Sequence, residues 1–301
     1  MTLALDIGGS AVRAARVRED GTTGPVSLRP LHVGLTRAEL RNRVEEAFRS
    51  VDPRLELDGA IGVAIPAFLD PDGRARCAVN LPALEGVEPS ELLRRVASDF
   101  PVVPIPDVAA AALAEAYLGA GRGAERFLCV SLGTGANAAM VVGGRLLETA
   151  FGCLGDAGHV VVEPEGPACL CGGRGCLEAV ASGVALARDG AAFGLDSARA
   201  VIDAALGGDP DATAIVARAG RALGCAIASW AAIFWPERVA VSGGLSAAAD
   251  LLLNPAREEM TRLGADYIVG DIEVVAGAFG SSATLIGAGL FAFEKTEKGA
   301  R

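Results

Sequence analysis

The chain has 301 residues, of which 51% are hydrophobic and 5% aromatic, and its formal net charge is −10. This length is sufficient for the cores of two domains of ordinary size. The acidic balance disfavours a protein that wraps nucleic acid, because the phosphates would repel it. No run reaches the roughly 18 to 20 apolar residues of a membrane-spanning helix, so we expect neither nucleic acid nor a membrane as a partner.

The first residues and the seven cysteines indicate the compartment. Residues 1–7 lack the charged and apolar regions of a signal peptide, and an odd number of cysteines is typical of a reducing compartment. We therefore expect a cytoplasmic protein. Three cysteines stand in one cluster. The other four are interpreted as small buried hydrophobic residues, namely Cys77, Cys129, Cys153 and Cys225.

The first predicted motif in chain order is a glycine hairpin. Residues 3–6 form a short apolar strand, and residues 11–17 alternate as a returning strand does. The N–H groups and the hydroxyl at its tip can face phosphate oxygens, and Asp6 is a candidate for contact with Mg²⁺. Glycine hairpins are common, so this motif alone is weak evidence for a ligand. The candidate phosphate-binding residues are Gly8, Gly9 and Ser10.

Two further strand ends carry small, donor-rich turns. One lies between predicted strands 127–130 and 136–142, and the other follows the predicted strand 239–241. Together with the first hairpin they indicate a phosphate site. The candidate residues of these two turns are Gly133, Thr134, Gly135, Gly243 and Gly244.

Apolar periodicity predicts the remaining elements. The helix over 212–235 is apolar nearly all round and is expected to be buried. The other predicted helices span 36–51, 89–100, 108–118, 198–206, 247–263 and 281–293, and the other strands span 58–65, 102–105 and 272–275.

Two polar residues next to these elements can be interpreted in two ways. Asp107 lies between a predicted strand and a predicted helix, where an Asp is usually an N-cap but where a base for a hydroxyl could also be held. Asn80 lies in the segment Asn-Leu-Pro and, on the residues alone, is more typical of a turn than of a binding site.

One histidine and three cysteines predict a metal site. A thiolate trio with an imidazole suits tetrahedral Zn²⁺, and the glycine-rich turn within residues 172–175 allows the ligands to converge. The alternative is buried thiols or a disulfide, although a Cys-x-Cys bridge is strained. Glu178 follows the last cysteine by two residues, so the metal would also hold this carboxylate. The predicted ligands are His159, Cys169, Cys171 and Cys176.

The segments around this cluster resemble the signature of the ROK family of repressors, uncharacterised frames and sugar kinases. Residues 155–159 read Gly-Asp-Ala-Gly-His, and residues 169–178 read Cys-Leu-Cys-Gly-Gly-Arg-Gly-Cys-Leu-Glu. The resemblance implies an α/β actin-like ATPase (ribonuclease H-like) fold with two domains around a nucleotide and sugar cleft. We expect residues 1–107 with 283–301 to form the smaller domain, residues 108–282 the larger one, and a homodimer or homotetramer.

The resemblance also implies roles for single residues. Asp107 matches the catalytic base of the family pattern Asn-Asp-Ala-Asn, but Pro106 and Ala109 replace its two Asn. Ala67 and Phe68 depart from a Pro-Gly-Pro sugar loop. The remaining implied sugar contacts are Asn80, Asp156, which replaces a Glu, His159 and Glu178.

These features favour an ATP-dependent kinase that phosphorylates a hexose or a hexosamine derivative, with Mg²⁺ accompanying ATP and structural Zn²⁺. Because sugar-contacting side chains are replaced, we expect glucose to be a poor substrate and an acylated amino sugar to be favoured. One alternative is a sugar-binding or catalytically weakened kinase-like protein. Another is a sugar-responsive regulator, which we disfavour because such members carry a helix-turn-helix ahead of the first phosphate loop, whereas this strand starts at Thr2.

Overall fold

The computed structural model describes residues 1–51, 59–149 and 154–299. Its strands, numbered along the chain, are β1 (Thr2–Ile7), β2 (Ala11–Val17), β3 (Ser27–Pro30), β4 (Ile61–Ile65), β5 (Phe68–Leu69), β6 (Ala75–Arg76), β7 (Val102–Pro106), β8 (Arg126–Leu132), β9 (Ala136–Val142), β10 (Arg145–Leu146), β11 (Arg238–Ser242) and β12 (Glu273–Ala276). Its helices are α1 (Arg37–Val51), α2 (Asp107–Leu118), α3 (Leu177–Val180), α4 (Gly183–Gly190), α5 (Ala198–Leu206), α6 (Pro210–Phe234), α7 (Asp250–Leu263), α8 (Asp266–Val269) and α9 (Ala283–Gly299).

The chain divides into two compact units. Unit 1 comprises Met1–Leu118, Leu146–Gly155 and Ser282–Arg301, and unit 2 comprises Gly119–Arg145 and Asp156–Ser281. The first stretch of unit 1 runs past the expected boundary at Asp107, because α2 packs against α9 and so stays with this unit.

Most of the predicted elements are present, with one clear exception. The predicted helix over 89–100 is wrong, since only Pro89–Leu92 is helical, as a 3-10 turn, and successive turns follow it. Leu92, Leu93 and Val96 are nevertheless buried. Their spacing of three to four residues gave the helical pattern, but a series of turns can bury the same spacing. Asp58 of the predicted strand 58–65 and Cys153 lie outside the described residues. Of the other cysteines interpreted as buried, Cys129 is buried and Cys225 is partly buried, but Cys77 is exposed, so the interpretation is wrong for Cys77.

The sheet of unit 1 has the order β3-β2-β1-β4-β7. Strands β1 and β2 form an antiparallel hairpin in which Asp6 lies opposite Arg13, and β4 runs parallel to both β1 and β7. Carboxyl ends of parallel strands lie at the same edge of a sheet. Asp6, near the end of β1, and Asp107, directly after β7, are therefore brought to one edge.

The sheet of unit 2 repeats this arrangement in the order β10-β9-β8-β11-β12. Strands β8 and β9 form the antiparallel hairpin, and β11 runs parallel to β8 and to β12. The same succession of a hairpin and two parallel strands thus occurs twice in the chain. The Gly133–Gly135 tip in unit 2 is the counterpart of the Gly8–Ser10 tip in unit 1.

Small residues allow two helices to pack closely in each unit. In unit 1, Gly287 of α9 faces the carbonyl of Ala110 on α2, and a Cβ atom at Gly287 would collide with it. In unit 2, Gly220 and Gly224 of α6 face α7 in the same way. Helix α6 is the predicted buried helix, and its Trp230 is only 4% exposed. In the part of the chain that the structure describes, no helix has both the length and the apolar character needed to cross a bilayer.

Candidate functional site

Asp107 is the first residue of α2 and is partly buried. Its Oδ1 accepts a hydrogen bond from the N–H of Val108 at 2.7 Å. An N-cap side chain accepts from the second or third N–H of a helix, so this bond is not the usual N-cap bond. Burial and, after it, the negative charge of Asp6 raise the pKa of Asp107 to about 7. A carboxyl group with this pKa can exchange a proton near neutral pH.

Asp6 is buried and forms an ion pair with Arg13, its cross-strand partner in the β1–β2 hairpin. Burial raises the pKa of Asp6, while the Arg13 guanidinium opposes this rise. Arg13 was missed by sequence reasoning, although the register of the predicted hairpin could have placed it opposite Asp6. Because Arg13 holds one oxygen of the carboxylate, Mg²⁺ could reach Asp6 at the other oxygen or through water.

The first predicted phosphate tip is a tight turn at the end of β1. The N–H of Gly8 donates to the carbonyl of Ala11 at 2.9 Å, and a Cβ atom at Gly8 would lie 3.3 Å from the same oxygen. Gly9 follows within the turn and Ser10 is exposed. The backbone carbonyl of Ser10 accepts from the N–H of Leu31, the residue after β3, at 2.8 Å, which anchors the tip.

The two predicted sugar contacts of unit 1 have different environments. Ala67 packs against the unit 1 core. Asn80 is exposed in a turn, where Glu85 accepts a hydrogen bond from the N–H of Ala78 at 2.9 Å. The structure therefore leaves the side chain of Asn80 open to a ligand, whereas Ala67 offers no polar side-chain atom.

The second predicted phosphate tip is held against the start of α4. The carbonyl of Gly133 accepts from the N–H of Gly183 at 2.7 Å, and the carbonyl of Thr134 accepts from the N–H of Val184 at 3.4 Å. A Cβ atom at Gly183 would lie 2.9 Å from the Gly133 oxygen. Sequence reasoning missed Gly183, which becomes recognisable only when the tip is placed beside it. Gly135 completes the turn by accepting from the N–H of Gly133 at 2.9 Å.

The third predicted turn lies next to the second. Gly243 has a φ of 90°, and a Cβ atom there would lie 2.5 Å from the carbonyl oxygen of Leu132, the last residue of β8. Gly243 therefore lets β11 end close to the strand that carries the Gly133 tip. At Gly244 a Cβ atom would meet nothing within 4 Å, so the turn is open on that side.

The four predicted metal ligands converge in unit 2. Their ligand atoms all lie within 4.8 Å of one another. The sulfur atoms of Cys171 and Cys176 are 3.7 Å apart, and the Cys169 sulfur is 3.5 Å from Nδ1 of His159. With Zn–S bonds of about 2.3 Å and Zn–N bonds of about 2.0 Å, a tetrahedral site separates two sulfur atoms by about 3.8 Å and a sulfur from a nitrogen by about 3.5 Å. The donor set and these two distances fit tetrahedral Zn²⁺.

The other ring nitrogen of His159 faces a carboxylate. Nε2 lies 3.3 Å from Oδ2 of Asp156, within hydrogen-bond distance. A carboxylate on the outer nitrogen fixes the tautomer in which Nδ1 is free to bind a metal. Asp156 therefore orients His159 in addition to any contact that it makes with a sugar.

Glu178 lies beside β9 and the second phosphate tip. Its Oε2 accepts from the N–H of Ala136, the first residue of β9, at 3.0 Å. The next residue, Asn137, accepts from the N–H of Ala157 at 3.0 Å and so anchors the segment that carries Asp156 and His159. Sequence reasoning missed Asn137. The structure brings Asp156, His159 and Glu178 together, and each is tied to the base of the tip.

The comparisons with known proteins agree on one family. The ROK family model matches residues 2–295. A glucokinase from Thermotoga maritima is 34% identical over an alignment of 309 positions that covers 95% of each chain. An N-acetylmannosamine kinase from Escherichia coli O139:H28 is 31% identical over 295 residues, which cover 97% of this chain and 98% of its own.

A similar solved structure supports the same conclusion. The crystal structure of a ROK family glucokinase from Streptomyces griseus, in complex with glucose and AMPPNP, has a TM-score of 0.86 at 27% identity. The match covers 97% of this chain and 99% of that one. Together with the sheet arrangement that occurs twice, this similarity confirms the predicted actin-like ATPase fold.

Proposed function

The chain belongs to the ROK family, and on this premise we propose that it is an ATP-dependent sugar kinase in which Asp107 is the catalytic base. The acceptor is a hydroxyl of a hexose or a hexosamine derivative. The observation that carries the role of Asp107 is its position after β7, next to Asp6, with a pKa of about 7. A base with a pKa near the working pH combines a useful ionised fraction with a useful proton affinity.

The transfer requires one base and several hydrogen-bond donors that hold the phosphates. The sugar hydroxyl gives its proton to the Asp107 carboxylate as its oxygen bonds to the γ-phosphorus, and the bond from that phosphorus to ADP breaks. The backbone N–H groups of the glycine tips would hold the phosphates. Mg²⁺ bound with ATP would neutralise the phosphate charge. The candidate partner of this Mg²⁺ in unit 1 is Asp6, which also forms an ion pair with Arg13.

In unit 2 we propose a structural Zn²⁺ bound by His159, Cys169, Cys171 and Cys176. The two ligand distances and the Asp156 contact to Nε2 support this assignment. A four-coordinate structural ion takes no part in phosphoryl transfer. It closes the loop that precedes α3, so that Glu178 can present its carboxylate to sugar hydroxyls.

The test is the Asp107→Asn variant, assayed by ATP consumption with glucose and with N-acetylmannosamine. The amide fills similar space but cannot take the hydroxyl proton, so we expect kcat to fall on the order of 10²- to 10⁴-fold. ATP affinity, measured by calorimetry, should stay close to that of the wild type. Asp99→Asn, at an exposed position of the same unit, is the matched control.

Wild-type kcat in Asp107→Asn would show that this residue only starts a helix. If the wild-type chain itself phosphorylates neither these sugars nor a wider set of hexoses and amino sugars, the alternative of a sugar-binding, catalytically weakened protein replaces the proposal.

A further inference from the structure

A group of four charged side chains in unit 2 supports α3 from outside the metal cluster. Arg218 of α6 donates from Nε and Nη2 to the two carboxylate oxygens of Glu163, at 3.0 and 2.6 Å, and from Nη1 to Asp189 at 3.1 Å. Arg188 donates to the other Asp189 oxygen at 2.7 Å. We call Glu163, Arg188, Asp189 and Arg218 the Arg218 network. It lines a surface cavity of 730 Å³ whose lining includes none of the four metal ligands.

One end of this network contacts the backbone next to Cys176, in the segment from His159 to Cys176 that we call the metal loop. The N–H of Glu163 donates to the carbonyl of Gly175 at 3.1 Å, and that of Val162 donates to the same oxygen at 2.8 Å. The packing is so close that a Cβ atom at Gly175 would collide with the carbonyl of Glu163. Since Cys176 comes next in the chain, the position of Glu163 sets the position of the last metal ligand.

The other end holds α3 directly. Arg188 donates from Nη1 to the carbonyl of Ala179 at 2.9 Å, and Ala179 follows Glu178. Helix α3 has only four residues and no side-chain N-cap bond, so it has little stability of its own. The contacts at Gly175 and at Ala179 bracket Glu178 in the chain, and both depend on the Arg218 network.

We propose that Arg218 is a positioning residue for the sugar-binding carboxylate Glu178. Arg218 can do this because its planar fork binds both oxygens of Glu163 while its third nitrogen holds Asp189. The Zn²⁺ ligands fix the loop from one side and the Arg218 network fixes it from another. This inference rests on the proposed function for the role of Glu178, but the packing that it describes can be measured without catalysis.

The first measurement is trypsin cleavage after Arg174, which is exposed in the metal loop. In Arg218→Met we expect cleavage there to accelerate roughly 10-fold relative to cleavage after exposed Arg76 of unit 1, because local opening of the loop becomes easier. Arg199→Met, which removes an exposed ion pair with Asp203 on α5, is the matched control and should leave this ratio unchanged.

The second measurement compares the effect of each variant on the KM of the sugar with its effect on the KM of ATP. The sugar is whichever of glucose and N-acetylmannosamine the wild type phosphorylates better. Arg218→Met should raise the KM of the sugar roughly 3- to 30-fold and leave the KM of ATP within about twofold. Glu163→Gln should have the same effect, and the double variant should be no worse than either single one. Arg218→Lys, which keeps the charge but not the fork, should restore part of the loss.

The inference is overturned if trypsin cleaves Arg218→Met after Arg174 at the same relative rate as Arg199→Met. It is also overturned if an active Arg218 variant has the same sugar KM as Arg199→Met. Should Arg218→Met not fold, Glu163→Gln and Arg218→Lys undergo the same two measurements with the same criteria. If no sugar is phosphorylated by the wild type, the proposed function fails, and the cleavage ratio still decides whether Arg218 holds the loop.

Discussion

At the scale of single residues, the proposed role of Asp107 makes catalysis depend on the ionisation of this side chain. Burial and the charge of Asp6 raise its pKa to about 7, and only the ionised form can accept a proton. We therefore predict that kcat/KM increases with pH, is half-maximal near pH 7 and levels at higher pH. The measurement is a kcat/KM profile from pH 5.5 to 8.5, with Asp99→Asn as the control. A profile that is flat across this range would contradict the assignment of the base.

The same raised pKa predicts a change in stability. Asp107 binds its proton more tightly in the folded chain than in the unfolded one, where its pKa is near 3.8. Its favourable contribution is complete below pH 4 and is lost as pH rises through about 7. Asp107→Asn should therefore be more stable than the wild type, and the difference should grow with pH to at most about 4 kcal/mol at pH 8. Solvent that reaches the partly buried carboxylate lowers this difference.

Thermal unfolding at pH 4.5, 6 and 8 measures this effect. The difference in Tm between Asp107→Asn and the wild type should increase in that order. An equal difference at all three pH values would mean that burial does not raise the pKa of Asp107.

The residues around Asp107 also predict the sugar preference. Pro106 and Ala109 stand where the family pattern has Asn, and Pro106 has neither a side-chain amide nor an N–H. Each lost hydrogen bond to a hydroxyl costs about 1 to 3 kcal/mol, so two losses lower kcat/KM for glucose by roughly 10²- to 10⁴-fold. The resemblance places Phe68 in the loop that borders the sugar, where its apolar side chain would favour an acylated amino sugar.

Steady-state kinetics with glucose and N-acetylmannosamine test this preference. We expect the higher kcat/KM with the acylated amino sugar. Ordinary turnover of glucose with a KM at or below the millimolar range would mean that backbone groups or water replace the missing side chains.

At the scale of elements, the proposed Zn²⁺ would hold together the segment from His159 to Cys176. We predict one zinc per chain, because four ligands at these distances close a structural site. Cys171→Ser should lose zinc and loosen α3, raising the sugar KM while leaving ATP binding nearly unchanged. Cys225→Ser, at a partly buried cysteine on α6, is the control. Metal analysis of the wild type that finds no zinc would contradict the prediction.

The elements also show how far sequence reasoning reaches. Local patterns were sufficient for the glycine hairpins, for α6 and for the convergence of the four candidate ligands, because each depends on residues close together in the chain. The Asp6–Arg13 pair was within reach, since hairpin register alone places the two opposite each other. The bond from Arg218 to Glu163 was not, because 55 residues separate them and only the packing of α6 brings them together.

At the scale of the whole molecule, the same sheet arrangement occurs twice, and each of the two units carries part of the candidate site residues. Asp6 and Asp107 lie in unit 1, whereas the metal cluster and Glu178 lie in unit 2. The net charge of −10 gives no general attraction for ATP, so affinity must come from local donors such as the N–H groups of the tips. The homodimer or homotetramer stays a prediction, for which sedimentation of the purified chain is the measurement.

The close packing of α6 has a spectroscopic consequence. The chain has two tryptophans, and both lie on this helix or at its end: Trp230 is buried, and Trp235 is 47% exposed. Indole fluorescence therefore reports unit 2 alone, whereas far-ultraviolet circular dichroism reports the helices of both units. If the units unfold at different temperatures, the emission change will coincide with only one of two dichroism steps. Unlabelled protein would thus reveal which unit melts first.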